Sequence, residues 1–487
     1  MSTFHDQRKP KATGRPTHST EQIAKDCKMN SPLNEPRKAR ILGGRSAAVL
    51  LLFLVASVTF PAAAQELLIR GGEVVTMANG AEAIQADVLI RDGRIAAVGD
   101  VTASADATVI DATGLTVYPG FVDAMNQIGL IEISSISATV DAAEMGAYNA
   151  HLTSATAIHP ASEVIPVTRE TGVAYSLVAP RPGNDGVVGG RAALVKLDGW
   201  TVEEMAITDS AAMFIAWPEV QTRTFDFATF TVKEAPYTEA KKKAEEKVDE
   251  LRDWLDAARH YAQAQDAGSE RLETDLQLEW LAKILPTSEG GEGMKVVMAA
   301  NAKSDIEAAV GFAEEQGLDV VIAGARDAWM LKDMLAEKDV PVILGLVAAL
   351  PGETDAAYDE PFRKAGELAA AGVDIAFGSG ASSSFGPSGP HSARTLPFEV
   401  GMATAYGLDR AAALTALTKA PAEMLGLSEE MGTIEVGKLA NLIVVEGDPL
   451  DIRSQVRHLV LGGAEVSTDN KHRQLYERYR SRPMPSE

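Results

Sequence analysis

The spacing of apolar and polar positions divides the chain into four zones. Residues 66–118 hold short apolar runs punctuated by turns: Leu67 to Met77, Val88 to Val98 around the tight-turn dipeptide Asp92-Gly93, and Thr108 to Val117 broken at Gly114. These read as strands, and nothing helical fits. From about residue 119, strand patterns alternate with helical ones. Gly172 to Ala179, Ala192 to Leu197, Val296 to Met298, Asp319 to Ala323, Pro341 to Leu346 and Asp374 to Phe377 read as buried strands. Ile306 to Glu314, Ala328 to Lys338 and Pro361 to Ala371 read as helices. Such alternation predicts a parallel sheet, and the number of units predicts a closed α/β barrel. Residues 238–286 interrupt it. Val248, Leu251, Leu255, Ala258 and Ala262 share a helical face, Gly268-Ser269 breaks the run, and Leu278, Leu281 and Leu285 resume it. This predicts a helical hairpin packed on the surface, too short for a coiled coil. The fourth zone returns to strands at Gly432 to Ile434, Asn441 to Val445 and Val456 to Leu461. Strands before and after a barrel predict a β-sandwich built from both ends. The expected division is a leader at 1–64, a composite sandwich of 65–118 with 431–470, a barrel at 119–430 and a tail at 471–487.

The leader changes the picture. Arg37, Lys38, Arg40 and Arg45 precede the apolar run Ser46 to Phe60, and Pro61 to Gln65 follows with an A-x-A pattern. The run is shorter than the ~20 residues that span a bilayer, so the expectation is an export signal cleaved after Ala64, not a stable membrane anchor. The mature chain would be periplasmic or secreted. Met29 is an alternative start to Met1 and would give a signal of ordinary length. The one cysteine, Cys27, precedes the signal, which leaves no thiol for a disulfide or a cysteine metal site. The net charge is −23, and the acid excess deepens beyond the basic leader. This argues against nucleic acid as a partner.

Two stretches carry a specific signature. One is Val109-Ile110-Asp111-Ala112-Thr113-Gly114 followed by Val117-Tyr118-Pro119-Gly120-Phe121-Val122-Asp123. The other is Gly432-Thr433-Ile434-Glu435-Val436-Gly437-Lys438-Leu439-Ala440-Asn441 with Gly447-Asp448-Pro449-Leu450 behind it. Together they resemble the opening and closing motifs of the amidohydrolase superfamily, near its imidazolonepropionase-like and dihydroorotase-like branches. The resemblance covers roughly residues 66–466. It implies a (β/α)8 TIM barrel with a composite β-sandwich. It also implies hydrolysis of carbon–nitrogen bonds, assisted by one or two divalent cations at the C-terminal ends of the barrel strands.

The positions that the resemblance assigns to the metal depart from that pattern. After Asp123, Met125 and Gln127 stand where two histidines belong. On strand 5 the histidine place falls at Ala299 or Ala300, on strand 6 at Gly324, and on strand 8 Gly380 replaces an aspartate. A thioether, an amide, an alanine and two glycines cannot assemble a zinc site. Lys196 is the one lysine between Pro119 and Val232 and stands nearest the strand-4 ligand of many relatives. It follows a glycine-rich loop, Pro182 to Gly190, that lacks the order of a phosphate cradle. No metal or other cofactor is therefore expected, and zinc would enter only at a relocated site. His151, His159 and His391 lie in the connections after strands 1 and 8, which adjoin at a barrel mouth, but ordinary loop histidines are the plainer reading. The loop Ser382 to His391 is rich in Gly, Ser and Pro and suits a ligand-contacting segment.

The leading expectation is an exported amidohydrolase-fold protein without the standard metal centre. It would serve as a subunit for a small-molecule ligand, or for a catalytically complete relative or a second copy of itself. The alternative is an active hydrolase of cyclic amides or peptide-like substrates through a relocated or metal-free site. Asp123, Lys196 and His391 would then be the catalytic candidates, with Asn184, Ser383 and His391 in the substrate loops.

Overall fold

The computed structural model describes residues 66–483 apart from 184–185, 227–230, 269–272, 288–290, 353–354 and 382–388. The expected export signal and its expected cleavage point lie outside the described residues, as do Asn184 and Ser383. Five strands open the described chain: β1 (Glu66–Val75), β2 (Ala83–Arg91), β3 (Arg94–Gly99), β4 (Thr108–Asp111) and β5 (Thr116–Pro119). β1 to β3 are antiparallel, and the β2–β3 turn sits at Asp92, whose φ of 51° is the left-handed conformation a tight turn needs.

The barrel sheet follows: β6 (Phe121–Asn126), β7 (Val173–Val178), β8 (Val188–Lys196), β9 (Ala206–Ala216), then β12 (Val296–Ala300), β13 (Val320–Gly324), β14 (Val342–Leu344) and β15 (Ile375–Phe377). β10 (Arg223–Asp226) and β11 (Thr231–Glu234) form a separate hairpin. The sheet order is β6-β7-β8-β9-β12-β13-β14-β15, and β15 closes on β6 where Gly380 N donates to Met125 O at 2.8 Å. This is the expected eight-stranded barrel, with one departure. β8 runs antiparallel to both its neighbours.

β16 (Leu442–Glu446), β17 (Gln455–Leu461) and β18 (Ala464–Val466) return to the first sheet, where β16 pairs with β5. The composite sandwich is thus built from both ends of the chain. Gly432 to Ile434 is not a strand, although Ile434 N still donates to Thr76 O at 2.8 Å. The insertion is a helix over Tyr237–Asp266 packed on a second over Leu276–Ala282. The first buries Leu251, Leu255 and Ala258, three of the residues on its expected apolar face.

Candidate functional site

Active sites of such barrels form at the C-terminal ends of the strands. Asp123 sits in the middle of β6, wholly buried. Its Oδ1 accepts from Ser379 N at 2.9 Å and Met125 N at 3.4 Å, and its Oδ2 from Ser379 Oγ at 2.5 Å and Asn126 Nδ2 at 3.1 Å. Asn126 Nδ2 also donates to Ser379 Oγ. Burial outweighs these donors and pushes the carboxyl up to about 6. With its oxygens so engaged, Asp123 ties strand 8 to strand 1.

The positions that the resemblance assigns to metal ligands are tightly packed. Met125 is buried in the barrel core, and its Cβ would lie 2.8 Å from a Cβ added at Gly378. A Cβ at Gly380 would stand 2.9 Å from Asn126 Cα and 3.0 Å from Met125 O, both backbone atoms. Gly324 has a φ of 83°, and a Cβ there would meet Asn301 Oδ1 at 2.6 Å and Ala381 O at 3.0 Å. Ala299 carries no ligand atom, and only Gln127 offers a neutral amide. The residues present do not fit a divalent cation. Among the described residues no three His, Cys, Asp or Glu side chains are grouped so as to hold one.

The structure does not bring the sequence candidates together. Lys196 ends β8, level with Tyr175 and one residue past Val195, which pairs with the first residue of β9. Because β8 runs backwards, its last residue lies at the N-terminal end of the neighbouring strands, the end that faces the sandwich. A Cβ at Gly462 of the β17–β18 turn would lie 3.0 Å from Lys196 Nζ. Lys196 therefore does not occupy the strand-4 ligand place. His391 is exposed in a short turn at Gly389–Ser392, and His159 is exposed in the strand-1 connection. His151 faces the helical insertion, in a cavity it shares with Trp254 and Gln277. Gly189 and Gly190, where the glycine-rich stretch enters β8, are closely packed: a Cβ at Gly189 would stand 2.8 Å from Pro180 O, and Gly190 has a φ of 126° beside Leu152 O.

The fourth strand of the sheet is β9, and Glu219 stands three residues past its end. Its Oε1 accepts from Asn301 Nδ2 at 3.2 Å. Asp305, nine-tenths buried in the first turn of the helix Lys303–Gln316, is pushed up to about 6, first by burial and then by the charge of Glu219. Arg326 forks onto Asp327 at 2.9 and 3.0 Å, and Asp327 also accepts from Lys303 N at 3.2 Å. Burial raises the Glu360 carboxyl and lowers the Lys364 ammonium, which donates to Arg326 O at 3.3 Å. A carboxyl that changes charge near pH 6 can exchange protons in the physiological range. The sequence reading missed this group, because polar Thr208, Asp209 and Ser210 disguise β9. Pro218 after the apolar run Ala211 to Trp217 was the available signal.

Strand order and closure define an eight-stranded α/β barrel. Comparison with known proteins agrees on the class. The profile of an amidohydrolase family matches residues 362–467. The crystal structure of an amidohydrolase from Thermotoga maritima superposes with a TM-score of 0.68 at 26% identity, covering 82% of this chain and 99% of that one. An adenine deaminase of Moorella thermoacetica is 40% identical over 91 residues, and a dihydroorotase of Solibacter usitatus 47% identical over 57. Those stretches are 18% and 12% of this chain, and only 14% and 13% of the two relatives. These matches support the amidohydrolase superfamily.

Proposed function

We propose that this protein is an exported amidohydrolase-fold subunit that works without the superfamily's metal centre, as a binder of a small molecule or of a partner. The observation that carries this reading is Gly380. The strand-8 position lacks its aspartate, and the space a side chain would need is taken by the backbone of Met125 and Asn126. Export rests on the basic, apolar and A-x-A segments of residues 37–65. No helix among the described residues is long and apolar enough to cross a membrane.

The test is metal content by mass spectrometry, on protein purified without chelators or a histidine tag. The expected result is well under one equivalent in folded protein. One or two equivalents of zinc, manganese or iron would overturn the reading and put an active hydrolase with a relocated site first. Glu219 and Asp305 would then be the carboxylates to examine.

A further inference from the structure

β1 ends at Val75 and β2 begins at Ala83, and the connection between them carries Asn79 followed by Gly80. No other asparagine in the sequence precedes a glycine. The connection is tied down on its approach. Met77 is buried in the barrel core, Ala78 N donates to Thr76 Oγ1 at 3.3 Å, and Thr76 O accepts from Ile434 N at 2.8 Å. Past Ala78 the ties stop. Asn79 and Gly80 are exposed, lie in neither strand nor helix, and make no hydrogen bond among the described residues. Gly80 has a φ of 104°, and a Cβ there would meet nothing within 4 Å.

The other described asparagines are held by their side chains. Asn126 donates to Asp123, Asn301 to Glu219 and Asn149 to Gly146 O. Asn441 Oδ1 accepts from Gly462 N at 2.5 Å, and Asn470 Oδ1 accepts from His472 N and Arg473 N at 2.9 and 3.2 Å. Each is followed by a residue that has a Cβ: Gln127, Ala302, Ala150, Leu442 and Lys471.

We propose that Asn79 is a site of spontaneous deamidation in the folded protein, with water as the co-reactant. The Gly80 amide nitrogen gives up its proton to solvent base and attacks Asn79 Cγ. A C–N bond forms, the Cγ–Nδ2 bond breaks, and that nitrogen leaves as ammonia. The cyclic succinimide then takes up one water. Opening at Cγ leaves aspartate. Opening at the main-chain carbonyl leaves isoaspartate, with the chain now running through Cγ. The balance is one ammonia out and one water in. The reaction needs a free side-chain amide, an unbonded amide nitrogen after it, and little bulk around that nitrogen, which a residue without Cβ provides. Asn79 meets all three conditions, and the other described asparagines fail the first and the third. The product adds a negative charge to the β1–β2 connection. The site is remote in sequence from the metal-ligand positions and does not depend on whether the barrel retains chemistry.

The experiment holds the full chain at mildly alkaline pH, with and without urea, then maps it by trypsin digestion and mass spectrometry. The peptide Gly71–Arg91 contains no asparagine except Asn79. Isoaspartate is read separately, by methyl transfer from S-adenosylmethionine with an isoaspartyl methyltransferase. In the folded protein Asn79 is expected to react on the order of tenfold faster than any other described asparagine, because glycine alone leaves the attacking nitrogen unobstructed. Urea should speed the held asparagines and change the Asn79 rate by less than about threefold, because its connection has little structure to lose. Asn79→Gln should abolish the acidic species that wild type accumulates. Reaction at Asn79 no faster than at Asn441 or Asn470 in the folded protein, a rise of about tenfold or more at Asn79 on unfolding, or the same acidic species in Asn79→Gln would overturn the proposal.

Discussion

Four donors converge on the Asp123 carboxylate, yet burial holds its pKa near 6, above the ordinary 3.8. The folded protein therefore binds this proton more tightly than the unfolded chain does. Its contribution favours folding at low pH and is lost as pH rises from about 4 to about 6, by about 3 kcal/mol. Asp305 titrates in the same window, so wild type alone does not isolate the effect. In Asp123→Asn that component should vanish, and urea unfolding across pH 4 to 6.5 should show a shallower fall than in wild type. Equal slopes would mean that the carboxylate is no more costly folded than unfolded. At this scale the sequence was informative about identity and silent about role. The Pro119 to Asp123 motif located the aspartate, and the missing histidines after it were plain. That Ser379, 256 positions away, would occupy its oxygens is a matter of barrel closure, which local pattern does not encode.

Elements show the same division. The apolar run Ala192 to Leu197 announced a strand, but a buried strand reads alike in either direction, so the reversal of β8 was invisible. That reversal decides the fate of Lys196, carrying it to the sandwich end of the sheet. Gly380 was legible as a missing aspartate, and its second meaning is purely spatial. A side chain there collides with the backbone of strand 1 and not with a movable side-chain tip. Gly380→Ala is expected to cost about 1–3 kcal/mol in chemical denaturation, the usual range for overpacking a close contact. For the same reason, reinstating the superfamily residues through Met125→His, Gln127→His and Gly380→Asp should lower stability and recover no stoichiometric zinc. A stable, zinc-loaded triple variant would show the place to be stripped of ligands and not closed.

The whole molecule is tied together by the alternation of two short strands. In β16, Leu442 and Val444 point into the core of the sandwich, while Ile443 and Val445 belong to the core that fills the barrel. β17 repeats the division, with Val460 on the sandwich side and Leu459 and Leu461 on the barrel side. A strand puts successive side chains on opposite faces, so one sheet here serves as a wall of both cores. Further ties cross the same boundary: Gly120 N donates to Asn441 O at 2.8 Å, and Phe121 begins β6 two residues after the end of β5. Neither core can lose β16 without exposing apolar surface in the other. Sandwich and barrel should therefore unfold together, giving a single calorimetric transition whose van't Hoff and calorimetric enthalpies agree. A chain ending before Leu442 should fail to give a cooperative transition at all, although the barrel strands themselves remain in it. Two resolved transitions in the full chain, or a cooperative one in the truncated chain, would show that the shared sheet joins the cores in space without coupling their stability.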